Sequence, residues 1–297
     1  MRKGTVTSSF GTNSRINHDS AKFYNSKLYS DFSVKKKDEI FNENELPEKF
    51  VNKIIFGSSE KMEGIPDNSI HLMITSPPYN VSKEYDENLS LKDYLTLLEN
   101  VFSETHRVLV NGGRACVNVA NVGRKPYIPL SDYISKIMLK IGFNMRGEII
   151  WNKGSSAGTS MAWGSWQSAS NPVLRDVHEY ILVFSKGDFK RNINGNGNTI
   201  TKEQFMEWTK SVWTMNTVSA KRIGHPAPFP EELPYRLIQL YTFKNDIILD
   251  PFMGSGTTAI SALKSDRKYL GFETSREYLK LAEKRIKDYQ KQLKLKF

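Results

Sequence analysis

The hydrophobic positions change their period along the chain. Lys53–Phe56 and Ile70–Thr75 are short apolar runs of strand length, whereas Leu91–Val110 carries its apolar residues at the spacing of an amphipathic helix. The turn Asn111-Gly112-Gly113 is expected to stop that helix. Ala115–Ala120, Arg146–Trp151 and Tyr180–Ser185 read as further strands, with a helix at Leu130–Ile141 between the first two. The same alternation returns near the end: helix Glu231–Tyr241, strand Ile247–Asp250, a glycine turn, helix Thr257–Lys264, strand Tyr269–Glu273 and a closing helix Tyr278–Gln292. Strands alternating with helices predict an α/β fold, a mainly parallel sheet covered by helices on both faces.

Two regions lack this pattern. Residues 1–48 have no period and read as an N-terminal extension, whose Phe23, Tyr24, Tyr29 and Phe32 predict docking on the body rather than a solvated arm. The main domain is then 49–297. Within it, residues 152–223 are rich in Gly, Ser, Asn and Trp and carry Lys186, Lys190, Arg191, Lys202, Lys210, Lys221 and Arg222, as an inserted region would.

Composition narrows the class. A chain of 297 residues with 39% hydrophobic and 25% charged residues is an ordinary globular protein. Its single cysteine, Cys116, excludes an intrachain disulfide. The first residues hold no apolar core of signal-peptide length, and no run approaches the roughly 20 apolar residues of a membrane span, so a cytoplasmic protein without a membrane partner is expected. Five scattered histidines and one cysteine predict no metal site. A net charge of +10 attracts polyanions, although a lysine-rich solvated surface explains the same number.

Two loops carry candidate chemistry. Asp250-Pro251-Phe252-Met253-Gly254-Ser255-Gly256-Thr257-Thr258 lies between a strand and a helix, where glycines let the backbone turn tightly against a ligand and the helix N-terminus favours a carboxylate. The next strand ends in Glu273, placed to hydrogen-bond ribose hydroxyls. Thr257-Thr258-Ala259 follows Gly256, so the glycine spacing for a pyrophosphate is missing; S-adenosylmethionine is expected rather than a nicotinamide dinucleotide. The second loop, Thr75-Ser76-Pro77-Pro78-Tyr79-Asn80, follows an apolar strand. Its prolines fix φ and remove two backbone donors, leaving the Ser76 hydroxyl and the Pro77 carbonyl to accept hydrogen bonds from an amine, with the Tyr79 ring able to stack on an extruded base.

With both loops present, the chain resembles the amino-methylating DNA methyltransferases, whose signature pairs an (Asp/Asn/Ser)-Pro-Pro-(Tyr/Phe) loop with a Phe-x-Gly-x-Gly loop. Ser-Pro-Pro-Tyr precedes the glycine loop here, similar to the β-type, circularly permuted order of that family, and the resemblance runs from about Ile54 to Lys287. It implies a Rossmann-like S-adenosylmethionine-dependent fold: a seven-stranded, mainly parallel sheet with one antiparallel strand. It further implies Asp250, Phe252, Gly254, Ser255 and Gly256 around the methionine and sulfonium, Thr257 near the carboxylate, Glu273 on the ribose, and Ser76, Pro77, Pro78 and Tyr79 at the target base. The segment His225-Pro226-Ala227-Pro228-Phe229-Pro230-Glu231 looks like one that packs on the cofactor. Many relatives have Gly-Asp where this chain has Gly57-Ser58-Ser59, so the adenine contact would pass to the Ser58 hydroxyl.

Serine at the first loop position favours N4 of cytosine over N6 of adenine in this family. Residues 152–223 stand where such relatives hold their target recognition segment; Trp163 and Trp166 could support the extruded base, and Trp213 is expected to pack. The expected partner is double-stranded DNA, with a cognate restriction endonuclease and a homodimer left open. RNA or protein-glutamine methylation and a silent DNA-recognition subunit are the rival readings.

Overall fold

Eight strands of the computed structural model pair into one sheet, and the description covers residues 24–30, 42–79, 89–154, 164–191, 197–224 and 228–294. The chain divides into two compact units, Met1–Glu39 and Ile40–Phe297. In the first, a helical turn at Lys27–Ser30 is described and the Tyr24 and Tyr29 rings meet edge to face, 5.2 Å apart. Phe23 and Phe32 lie outside the described residues.

In the second unit the strands are β1 (Lys53–Phe56), β2 (Ile70–Thr75), β3 (Leu109–Val119), β4 (Val122–Gly123), β5 (Tyr127–Ile128), β6 (Phe143–Asn152), β7 (His178–Lys186), β8 (Val212–Thr214), β9 (Ile247–Asp250) and β10 (Lys268–Glu273). The helices are α1 (Leu91–Val108), α2 (Leu130–Ile141), α3 (Lys202–Trp208), α4 (Ala220–Ile223), α5 (Glu232–Tyr241), α6 (Thr257–Lys264) and α7 (Arg276–Lys294). The sheet order is β1-β10-β9-β2-β3-β7-β6-β8, and β4 and β5 form a separate hairpin. Neighbours run parallel except that β7 is antiparallel to both β3 and β6. The expected mainly parallel sheet with one antiparallel strand is therefore present, with eight strands in place of seven.

Both faces are buried, which is why β2 reads as an unbroken apolar run. Met73 packs in one core with Leu98 and Phe102 of α1 and Ile134 of α2. Leu72 and Ile74 point the other way, into a core with Leu237 of α5, Ile260 of α6 and Ile286 of α7. Leu46 is buried in the first of these cores.

Two expectations are corrected. The turn Asn111-Gly112-Gly113 does not stop α1: the chain leaves the helix at Val108 and enters β3 directly, carrying the glycines inside the strand. Gly112 has φ +75°, and a Cβ there would come 2.1 Å from the Lys190 carbonyl oxygen, so glycine permits a close backbone crossing. Residues 152–223 are also not one insertion, because β7 runs through the middle of the sheet and β8 extends its edge. β8 is three residues long with only Trp213 buried, too short to show a period. Trp213 packs as expected: it is 1% exposed and its indole N–H donates to the Trp208 carbonyl at 3.1 Å.

Strand direction sorts what remains of that region. β6 runs parallel to β8 and antiparallel to β7, so 153–177 emerges at the edge where the parallel strands end, whereas 187–211 begins at the opposite edge and 215–224 returns to the first. At the far edge the Lys186 ammonium donates to the Asn68 side chain at 2.7 Å and the Leu109 carbonyl at 2.7 Å. The buried Arg191 pairs with Asp246 at 2.5 Å. These two cations are therefore committed inside the protein.

Candidate functional site

The site is built at the C-terminal edge of the parallel strands, where α/β sheets gather their loops around ligands. β9 lies between β10 and β2, so the loops after β1, β10, β9 and β2 stand side by side in that order. They line one cleft of about 760 Å³. From the β2 loop come Ser76, Pro77, Pro78 and Tyr79; from the β9 loop, Phe252, Gly254, Ser255 and Thr257; from the end of β10, Glu273; and from the β1 loop, Ser58. The two loops singled out in the sequence thus share one cavity.

The glycine loop is held from below. Asp250 is 1% exposed and its carboxylate accepts from Thr75 Oγ1 at 2.7 Å, Thr258 Oγ1 at 2.6 Å and the Phe252 N–H at 3.1 Å. Burial pushes its pKa up to about 6 against the pull of these donors. Asp250 is absent from the cleft lining, and its carboxylate braces the loop from beneath. Gly256 is likewise set back: with φ +78° it begins α6, and a Cβ there would lie 3.0 Å from the Ala282 Cβ of α7. Gly254, with φ +51°, faces the cleft and donates its N–H to Glu273 Oε2 at 2.7 Å. Glu273 Oε1 accepts from the Ser275 N–H at 2.8 Å, while burial raises the carboxyl above its usual range. The Arg285 guanidinium, reaching over from α7, donates to Ser255 Oγ at 2.9 Å and Thr257 Oγ1 at 3.2 Å, fixing the far side of the loop.

At the β2 loop, the Ser76 and Tyr79 hydroxyls are 3.2 Å apart and the Tyr79 hydroxyl lies 3.1 Å from Glu179 Oε2. Burial, then the nearby Glu179 carboxylate, raises the Tyr79 pKa well above its ordinary value and keeps the phenol protonated. Glu179 itself, 8% exposed at the start of β7, also accepts from Asn118 Nδ2 at 2.6 Å and pairs with Lys153 at 2.7 Å.

His225 and Pro226 lie outside the described residues, as does Trp163, but Pro228 and Phe229 of the same segment line the cleft. The sequence reading missed Glu179, Asn118 and Lys153, although a glutamate opening the apolar run of β7 was a visible sign of a paired buried charge. It also missed Glu60, which lines the cleft and accepts from the Ser58 hydroxyl at 3.1 Å and from Asn100 Nδ2 at 3.0 Å. Among the described residues no group of three or more His, Cys, Asp or Glu is arranged to hold a metal, and no helix is long and apolar enough to cross a membrane.

The sequence profile of the DNA methylase family matches residues 70–284. The type II methyltransferase M.MjaI of Methanocaldococcus jannaschii is 32% identical over 290 residues, covering 83% of this chain and 94% of that protein. The solved structure of TTHA0409 from Thermus thermophilus, assigned as a DNA modification methylase and complexed with S-adenosyl-L-methionine, is 29% identical with a TM-score of 0.65, covering 80% of this chain and 94% of its own. The cytosine-N4-specific PvuII DNA methyltransferase, 20% identical with a TM-score of 0.63 over 84% of this chain and 95% of its own, shares the fold.

Proposed function

The chain belongs to the DNA methylase family of N6/N4 amino-methylating enzymes, and from that we propose that its cleft methylates N4 of a cytosine flipped out of double-stranded DNA. One observation carries this reading: Ser76 and Gly254 line the same cavity, on loops tied together by the bond from Thr75 to Asp250.

S-adenosylmethionine is the cofactor, and the residues fit it. The cleft is within the roughly 300–1,000 Å³ usual for small-molecule sites. The Glu273 carboxylate, held by two backbone N–H groups, retains lone pairs for ribose hydroxyls. Strand order runs from β9 through β10 to β1, so with the methionine held at Gly254 and the ribose at Glu273, the residues that would hold the adenine are Gly57–Glu60. There the carboxylate lacking at Ser58 is supplied two residues later by Glu60, which we assign to the adenine amine. When bound, the cofactor supplies a methyl group on a positively charged sulfur; nitrogen attack forms the N–C bond, breaks the S–C bond and releases one N–H proton.

The protein's part is to make a poor nucleophile attack. The lone pair of an exocyclic amine is delocalised into the ring, and hydrogen bonds accepted by the Ser76 hydroxyl and the Pro77 carbonyl favour the tetrahedral nitrogen that can attack in line. The neutral Tyr79 ring stacks on the flipped base. Serine at position 76 supports cytosine as the target. Adenine presents the same amine beside a ring nitrogen and is the second reading.

Site recognition is assigned to the part of 152–223 that shares the cleft's edge. There Arg124 of the β4–β5 hairpin pairs with Asp176 at 2.7 Å, and Trp166 is 64% exposed. The type II name of M.MjaI supports a place beside a cognate restriction endonuclease. Methylation-sensitive sequencing of DNA from cells expressing the chain tests the whole: N4-methylcytosine at one short site is expected, N6-methyladenine would move the target to the second reading, and unmodified DNA from cells holding folded, cofactor-binding protein would overturn the assignment.

A further inference from the structure

We propose that Glu179 is a positioning residue for methyl transfer, which sets the direction of the hydrogen bonds running through Tyr79 so that the Ser76 hydroxyl presents its lone pairs to the target amine. This rests on the assignment of Ser76 to the target base.

The argument is one of donors and acceptors. A carboxylate accepts hydrogen bonds and offers no proton. The Tyr79 hydroxyl, 3.1 Å from Glu179 Oε2, must therefore be the donor in that contact, and its single proton is used there. Its oxygen can then only accept in its second contact, the 3.2 Å approach of Ser76 Oγ. Ser76 must donate its one proton to Tyr79, which turns its lone pairs away from that bond and toward whatever amine enters the cleft. Without the carboxylate, either hydroxyl could be the donor, and half of the arrangements would aim a hydrogen at the incoming N–H.

The surroundings keep Glu179 in this role. Asn118 Nδ2 donates to the same oxygen at 2.6 Å, which orients that amide, and its contact with Ser76 Oγ is long, at 3.5 Å. Lys153 holds the other oxygen at 2.7 Å. The carboxylate is thus held at both oxygens, Oε2 shared by Tyr79 and Asn118 and Oε1 taken by Lys153, on β7, whose register with β3 sets Asn118 opposite Ile181. Three donors reach it from three separate places in the chain, the β2 loop, β3 and the residue following β6. Glu179 stands between His178 and Tyr180 at the start of β7, ahead of the apolar stretch Ile181–Phe184, and the three donors are the contacts that hold its charge there.

Single-turnover methyl transfer to a duplex containing the methylated site, with saturating S-adenosylmethionine, tests the proposal. Glu179→Gln keeps the shape but can offer Tyr79 a donor, and should slow the transfer step on the order of 10²-fold. Its KM for DNA and its affinity for S-adenosylmethionine, read by calorimetry, should stay near wild type. Tyr79→Phe keeps the stacking ring and removes the link, so it should slow transfer too, and adding Glu179→Gln to it should cost less than about twofold more. Glu179→Asp, an acceptor with shorter reach, should recover part of the rate lost in Glu179→Gln. A Glu179→Gln enzyme at wild-type rate, or losses that multiply fully in the double variant, would overturn the proposal. Should Glu179→Gln not fold, Tyr79→Phe and Glu179→Asp decide it: full rate in Tyr79→Phe, or a Glu179→Asp loss undiminished by Tyr79→Phe, sinks it. A Ser76→Ala enzyme at full rate would instead remove the underlying assignment of Ser76.

Discussion

The Thr75 hydroxyl donates to the Asp250 carboxylate over 2.7 Å, joining the last residue of β2 to the last residue of β9. One loop leaving this point carries Ser76 and the other carries Gly254, so this buried bond, at the end of the β2–β9 pairing, ties the two halves of the cleft together. Thr75→Val keeps the volume and removes the donor, leaving Asp250 Oδ1 with the Phe252 N–H alone. We expect a stability loss of about 1–3 kcal/mol in urea unfolding, together with slower methyl transfer. A variant as stable and as fast as wild type would show that the bond registers nothing.

Asp250 makes a second prediction, in pH. Its pKa rises from the ordinary 3.8 to about 6 because burial disfavours the charge. Between these values the folded protein holds a proton that the unfolded chain has lost, so this group's contribution to stability is full below about pH 4 and is lost as pH rises through 6. The loss is about 3 kcal/mol. Asp250→Asn, which cannot ionise, should therefore gain on the wild type by roughly that amount between pH 4 and 7, measured by urea unfolding across the range. A difference between the two proteins that does not vary with pH would contradict the assignment.

The glycine loop offers a direct test of cofactor binding. Gly254 holds φ +51°, and a β-branched side chain there costs about 1–2 kcal/mol for the backbone alone while intruding on the cleft. Gly254→Val should remain folded, with its melting temperature lowered by a few degrees, and lose S-adenosylmethionine binding in calorimetry. Wild-type affinity would place the methionine end of the cofactor elsewhere.

How much of this was legible beforehand depended on the range of the interactions involved. The bounds of β1, β2, β9, α2 and α6 follow from local apolar period, and the Pro-Pro and glycine loops from chemistry that needs only neighbouring residues. A glutamate at the head of the β7 run signals a paired charge, but its partners do not follow from local pattern: Tyr79 is 100 residues from Glu179, and Ser76 is 42 residues from Asn118. The same holds for the bracing role of Asp250, whose two threonine partners, Thr75 and Thr258, include one 175 residues away. β8 failed for a different reason, since three residues cannot show a period of two, and β7 was recognised as a strand while its neighbours on both sides made the region look like one insertion.

That division of 152–223 leads to a prediction about sequence recognition. The chain leaves the sheet after Asn152 and re-enters it at His178, both at the cleft's edge, whereas 187–211 start at the far edge, where Arg191 is paired with Asp246 and Thr199 is bonded to Arg267 at 2.7 Å. We expect DNA lying across the cleft to be met from the first segment, which joins the sheet at that edge, and not from the second, which joins it at the other. Replacing 155–177 with the corresponding segment of a related methylase should change the methylated site, read by methylation-sensitive sequencing, while leaving S-adenosylmethionine affinity near wild type. Neutralising Lys190, Lys202 and Lys210 together should leave the site unchanged and alter the salt slope of DNA binding little, because a cation that meets no phosphate releases no counterion. An unaltered site after the first exchange, or a shallower salt slope after the second change, would put recognition on the opposite edge of the sheet.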